Sequence, residues 1–86
     1  MSTNSSAEAP TLLGLRIGRD AQVLRVDDAT AIDPIARRLR ELGFVPGETV
    51  RVLAQGPLGG DPLLVQVGYT RFALRRAEAR WVRVST

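Results

Sequence analysis

Catalysis in a small protein usually rests on a histidine, a cysteine or a pair of carboxylates, and this sequence offers only the last. Asp27 and Asp28 are the closest acids along the chain. A carboxylate pair can work as acid and base across a bond. These two fall in a predicted loop, where a solvated turn is the simpler reading. Eighty-six residues also leave too little chain to bury a substrate beside them. The sequence therefore reads as a binding module and not as an enzyme. For a metal, only oxygen ligands remain, and these suit transition metals poorly. Asp27, Asp28 and Asp61 are weak oxygen-only candidates, which Asp33 and Glu48 could join between molecules. Their spacing matches no closed site, so neither a tight metal site nor a cofactor is expected.

All twelve basic residues are arginine. Arginine suits bidentate contacts to carboxylate or phosphate, but GC-rich codon usage produces the same bias. A formal charge of +3, spread over both signs, gives little support to nucleic-acid binding. Arg71, Arg75 and Arg83 fall on the outer faces of predicted strands, with Trp81 beside Arg83 and Tyr69 in a nearby turn. Three readings follow, in this order: Trp81 covers the end of the fold, the group is a protein contact, or it stacks bases.

The segment Gln55-Gly56-Pro57-Leu58-Gly59-Gly60-Asp61-Pro62 is glycine-rich in the manner of a phosphate loop. No Gly-Lys-Ser/Thr and no helix follow it, so it reads as a turn or wide hairpin loop. Loops on rigid scaffolds often carry binding, and Pro57 and Pro62 could shape this one for a partner.

The elements that must position these residues are short. Met1 to Pro10 is small and polar and reads as a disordered tail, with the folded domain over 11–86. Leu12, Leu13, Leu15 and Ile17 are expected to feed the core, and Gln22–Val26 to form a strand. Asp33-Pro34 marks a helix start. Ile35, Leu39 and Leu42 follow on one face. Gly43 is placed to end the helix, letting Phe44 pack back on Leu39, and Pro46-Gly47 prevents a restart. Three further strands are expected before the last one. Val50, Val52 and Ala54 point inward on the first, Leu63, Val65 and Val67 on the next, and Phe72 and Leu74 on the third. A helical turn over Arg76–Arg80 precedes a last strand with Val82 and Val84 inward. A mainly β chain of about five short strands and one short helix near its start fits a small SH3-like β-barrel, which removes exposed sheet edges. With no cysteine and four aromatic residues, the core must be chiefly Val, Leu, Ile and Ala. No apolar run approaches the ~20 residues of a membrane span. The first residues do not look like a secretory signal. Cytoplasmic residence is expected.

In order, Arg38-Leu39-Arg40-Glu41-Leu42-Gly43-Phe44-Val45-Pro46-Gly47, then Val50 and Val52, then Gly56-Pro57-Leu58-Gly59-Gly60-Asp61-Pro62, then Ala73-Leu74-Arg75-Arg76-Ala77-Glu78-Ala79 with Val82 and Val84 form a recognisable pattern. It resembles the FeoA family, small accessory proteins of bacterial ferrous-iron uptake, from about Leu12 to Val84. The family's hairpin loop usually runs Pro-Leu-Gly-Asp-Pro. Here a second glycine separates Leu58 from Asp61. The resemblance implies an SH3-like barrel without catalytic activity. Its implied partner is the cytoplasmic region of a membrane ferrous-iron transporter, FeoB-like, that bears a G-protein domain. Recruitment to the inner face of the membrane through that partner, without insertion, would follow. The contact candidates are the helix end, Leu42, Gly43, Phe44, Val45 and Pro46, and the loop residues Pro57, Leu58, Gly59 and Asp61. Two other readings remain: an SH3-like regulatory domain of the iron-dependent-repressor type, for which this chain has no DNA-reading helix-turn-helix, and a nucleic-acid-binding small barrel.

Overall fold

The computed structural model describes residues 9–28 and 33–85. Most of the expected tail, Met1 to Glu8, lies outside the described residues. Its last two residues are engaged: the Ala9 carbonyl accepts from Arg83 Nη1 at 2.7 Å and the Pro10 carbonyl from the Val84 N–H at 2.9 Å.

After a single 3-10 turn over Leu12–Gly14 come β1 (Asp20–Val26), α1 (Pro34–Glu41), β2 (Thr49–Leu58), β3 (Asp61–Val67), β4 (Thr70–Leu74), α2 (Arg76–Ala79) and β5 (Val82–Ser85). The strands form one antiparallel sheet in the order β4-β3-β2-β1-β5. Both ends of α1 are where the sequence places them. The Asp33 carboxylate accepts from the Ile35 and Ala36 N–H groups at 3.0 and 3.3 Å. At the far end, the Gly43 N–H bonds the Arg40 carbonyl and the Phe44 N–H the Leu39 carbonyl. This is the paired closure that a left-handed glycine permits, with Gly43 at φ 114.

The buried face of α1 is Ala36 and Leu39, not Ile35, which is 42% exposed. Small Ala36 allows the helix to lie close to the sheet, and Ile35 is turned away by about 100°. Leu42 is half-buried against the core. Ile17, also expected inside, is 55% exposed in the turn before β1.

One core of Leu12, Leu15, Val23, Val26, Leu39, Phe44, Val50, Val52, Leu63, Val65, Val67, Leu74, Ala79, Val82, Val84 and their neighbours draws on every strand and both helices. Each Val, Leu or Phe so buried contributes about 1.5–3 kcal/mol. Such a core can hold a small chain together without a disulfide. Ala54 does not join it. The β2–β3 register slips between Val52 and Ala54 and turns Ala54 outward.

The expected barrel is corrected: the sheet does not close. Closure needs β4 to pair with β5, but α2 carries the chain between them, and they end the sheet on opposite sides. The outer side of β5 instead receives Thr11, bridged to Arg83, and the Pro10 carbonyl.

The expected wide loop over Gln55–Pro62 is corrected too. β2 runs to Leu58, which pairs with Asp61, leaving Gly59-Gly60 as a two-residue turn. Their φ values, 67 and 88, are both positive, as the hairpin turn matched to strand twist requires. The second glycine thus completes a tight turn. Pro57 falls within a register shift between Gln55 and Leu58, where its missing N–H costs no ladder bond.

Candidate docking surface

The tip of the β2–β3 hairpin carries Pro57, Leu58 and Gly59, all exposed, with Leu58 at 79%. An apolar side chain this exposed is usually a loop-end liability, yet this tip is braced. The Gly60 N–H bonds the Gly56 carbonyl at 3.1 Å. The strands pass so closely that a Cβ on Gly56 would stand 2.5 Å from the Asp61 carbonyl oxygen. The Asp61 carboxylate accepts from the Arg76 N–H at 3.0 Å, tying the base of the tip to the start of α2. The Arg76 guanidinium reaches the turn itself, 3.1 Å from where a Gly60 Cβ would sit. Gln55 and Arg76 therefore support the site, although sequence reasoning named neither as a contact residue, and Gly56, within the predicted contact loop, serves the close approach of the strands. Only the pairing of strands and the long-range contact to α2 reveal them.

The helix-end candidates form a separate patch. Val45 and Pro46 are exposed in a turn closed by Glu48 N–H to the Val45 carbonyl, and Gly47 N–H reaches the Val23 carbonyl. The turn leads into β2 at Thr49, while Leu58 is at the other end of that strand, roughly 30 Å away at 3.3 Å per residue. The structure splits the predicted contact residues between two ends of the molecule. Phe44 is corrected outright. It is fully buried, with its ring 6.3 Å from that of Phe72, because the helix closure turns it into the core. Gly43 is partly covered and serves the helix end. Tyr69 is fully exposed in the β3–β4 turn, at the Val45 end of β2, since the Gly68 N–H bonds the Thr49 carbonyl. Trp81 packs against the core under Arg80, 5.4 Å from its ring, which fits the end-cover reading.

The oxygen-only metal candidates are not brought together. Asp27 lies between Arg25 at 3.0 Å and Arg83 at 2.8 Å, Asp28 pairs with Arg40, Asp61 holds α2, and Asp33 caps α1. No group of three acidic side chains is gathered among the described residues.

Other exposed pairs are Arg37–Glu41, Arg38–Glu78 and Arg51–Asp20, the last at 2.6 Å. The Arg51 hydrogen bond holds the Asp20 carboxyl below its ordinary range, and Asp20 in turn raises Arg51. Once these pairs form, the guanidinium groups of Arg16, Arg19, Arg71, Arg75, Arg76 and Arg80 have no carboxylate partner among the described residues. Four of the six belong to β4, α2 and the residues joining or following them. The described grooves are open and shallow, such as one of about 300 Å³ beside Arg16 and Arg19. The arrangement suits contact with a macromolecule better than enclosure of a small substrate. No described helix is long and apolar enough to cross a membrane.

Comparison with known proteins gives a consistent picture. The family model for the FeoA domain matches residues 11–86. The crystal structure of FeoA from Stenotrophomonas maltophilia superposes with a TM-score of 0.80 at 61% identity, covering 90% of this chain and 91% of that one. That protein was solved complexed with zinc. It is described as a procaryotic SH3 domain protein and put forward as a bacterial ferrous iron transport activating factor. Iron(II) transport protein A from Clostridium thermocellum matches at 30% identity and TM-score 0.77, over 88% of this chain and 44% of that one. FeoA from Chlorobium tepidum matches at 37% identity and TM-score 0.71, over 86% and 67%. No curated protein sequence matches the chain.

Proposed function

The chain belongs to the FeoA family, with its SH3-like fold and its link to ferrous-iron transport, and from that premise we propose that it is a non-catalytic accessory protein docking on the cytoplasmic part of a membrane ferrous-iron transporter. In this reading it resides in the cytoplasm and reaches the membrane only through its partner. The observation that carries it is Leu58: an apolar side chain 79% exposed at the end of a hairpin braced by Arg76 and Asp61. A fixed, protruding aliphatic group is the form of an anchor that fills a partner's pocket. Docking can bias the transporter only if the chain binds two of its states unequally. Val45 and Pro46, at the other end of β2, would serve a second contact or none.

The test is a pull-down with the transporter's purified cytoplasmic domains. Leu58→Glu should fold normally, since the side chain is in solvent, and should weaken capture tenfold or more. Tenfold corresponds to about 1.4 kcal/mol, the scale of an anchor residue. Val45→Glu run in parallel reports on the other patch. Full capture by a folded Leu58→Glu variant would remove the hairpin tip from the interface.

A further inference from the structure

We infer that the outer edge of β4 is a β-addition site for an extended, acidic segment of a protein partner. Among the described residues β4 pairs only with β3, through Val67–Thr70, Gln66–Arg71, Val65–Phe72, Leu64–Ala73 and Leu63–Leu74. Gly68-Tyr69 is a two-residue connection, so the Val67–Thr70 pair exchanges backbone hydrogen bonds, as do Val65–Phe72 and Leu63–Leu74. The alternation is consistent with the neighbouring ladder, where the Gly68 N–H turns to the Thr49 carbonyl on the β2 side. Arg71 and Ala73 therefore direct their backbone N–H and C=O groups away from β3. Among the described residues, nothing bonds to them there.

The opposite end of the sheet contrasts with this one. The outer side of β5 is taken by Thr11 and Pro10. The outer side of β4 has no such cover among the described residues, although unpaired edges are normally blunted or masked.

Charge selects the occupant. Arg71 and Arg75 are exposed, their guanidinium groups pair with no carboxylate among the described residues (Arg71 Nε donates to Gln66 Oε1 at 3.3 Å, and only the backbone N–H of Arg75 reaches Glu78), and Ala73 between them adds no bulk. At spacing i, i+2, i+4 these three share one face of the strand. A strand added alongside would set its own alternate residues opposite two arginines, where glutamate or aspartate is favoured. A second copy of this chain joining edge to edge would bring arginines against arginines, so self-pairing is selected against. Strand addition supplies affinity through main-chain bonds and specificity through alternate side chains. This inference rests on the docking reading only for the identity of the natural partner.

The experiment titrates the isotope-labelled chain with a soluble synthetic peptide alternating glutamate and threonine, with its lysine-for-glutamate counterpart as control. The acidic peptide should slow hydrogen exchange at the Arg71 and Ala73 amides tenfold or more. Thr70, Phe72 and Leu74, already bonded to β3, should change little. Ala73→Pro removes the free donor while leaving the β3 pairs intact and should abolish the effect. Arg71→Glu with Arg75→Glu should abolish it too, and this pair serves if the proline variant does not fold. Absence of slowing at Arg71 and Ala73, slowing centred elsewhere, or equal slowing by the lysine peptide would overturn the inference. In the transporter pull-down, equal capture of wild type and Ala73→Pro would overturn the edge as that partner's site while docking stands. Failure to capture even wild type would remove the docking reading, and the peptide titration alone would then decide the edge.

Discussion

Phe44 is held from two directions. Its N–H closes α1 on the Leu39 carbonyl, and its ring meets Phe72 inside the core. Phe44→Ala should cost about 3–5 kcal/mol, read as a fall in the urea midpoint with little change in slope. A loss below about 1 kcal/mol would show the site to be far looser than its burial indicates. The Asp20–Arg51 pair is the opposite case, exposed at the surface. The pKa of Asp20 is lowered in the fold by Arg51. Its contribution is therefore complete above the ordinary carboxylate pKa and is lost as pH falls through the lowered value. Asp20→Asn should lower the melting temperature slightly at neutral pH, more at low salt, and match wild type once acid has protonated Asp20 in the folded state. Identical melting at neutral pH and low salt would show that the pair contributes nothing.

At the scale of elements, α1 is eight residues long and depends on its ends. Two N–H groups rest on Asp33, so Asp33→Ala should cost about 1 kcal/mol by denaturant unfolding. The β2–β3 turn is a second such point. A Cβ on Gly59 would meet nothing within 4 Å, so its glycine is required only by the backbone, at φ 67. Gly59→Ala should destabilise by about 1–2 kcal/mol, with the β2–β3 pairs around Val65 still visible in the amide spectrum. Unchanged stability would argue against this turn geometry. The hairpin shows what a composition rule misses. Three glycines and two prolines over Gln55–Pro62 signal a loop, but two of the glycines suffice for a tight turn, and the remaining residues extend the strands.

For the whole molecule, the ion pairs leave an arginine surplus on β4, α2 and their surroundings, and the net charge is +3. An acidic partner should therefore associate faster at low salt, with Leu58 affecting chiefly the dissociation rate and Arg71 chiefly the association rate. The hairpin tip and the β4 edge meet through Arg76. That residue follows Arg75 in the chain, reaches Gly60 through its guanidinium and Asp61 through its N–H. One partner could span both, whereas the Val45 turn lies at the far end of β2.

Local rules determined much of this protein without any coordinates. Asp33-Pro34 and Gly43 delimit α1 because caps are satisfied within a few residues. The alternation Leu63, Val65, Val67 and the pair Val82, Val84 define buried faces because a strand's period is two. The order of motifs from Leu39 to Val84 identified the family. Tertiary structure decided whatever depends on a distant partner. Ile35 is exposed because α1 turns its Ala36–Leu39 face to the core, and Ile17 because it lies in the turn before β1. Ala54 turns outward because of a register slip that no local preference encodes. The sheet stays open because α2 separates β4 from β5, while Thr11 and Pro10 cover the other end. The two edges of the same sheet thus meet different fates among the described residues: β5 is masked by Pro10 and Thr11, and on β4 the backbone groups of Arg71 and Ala73 have no partner. Only the packed molecule shows that difference, since hydrogen bonding between strands is non-local.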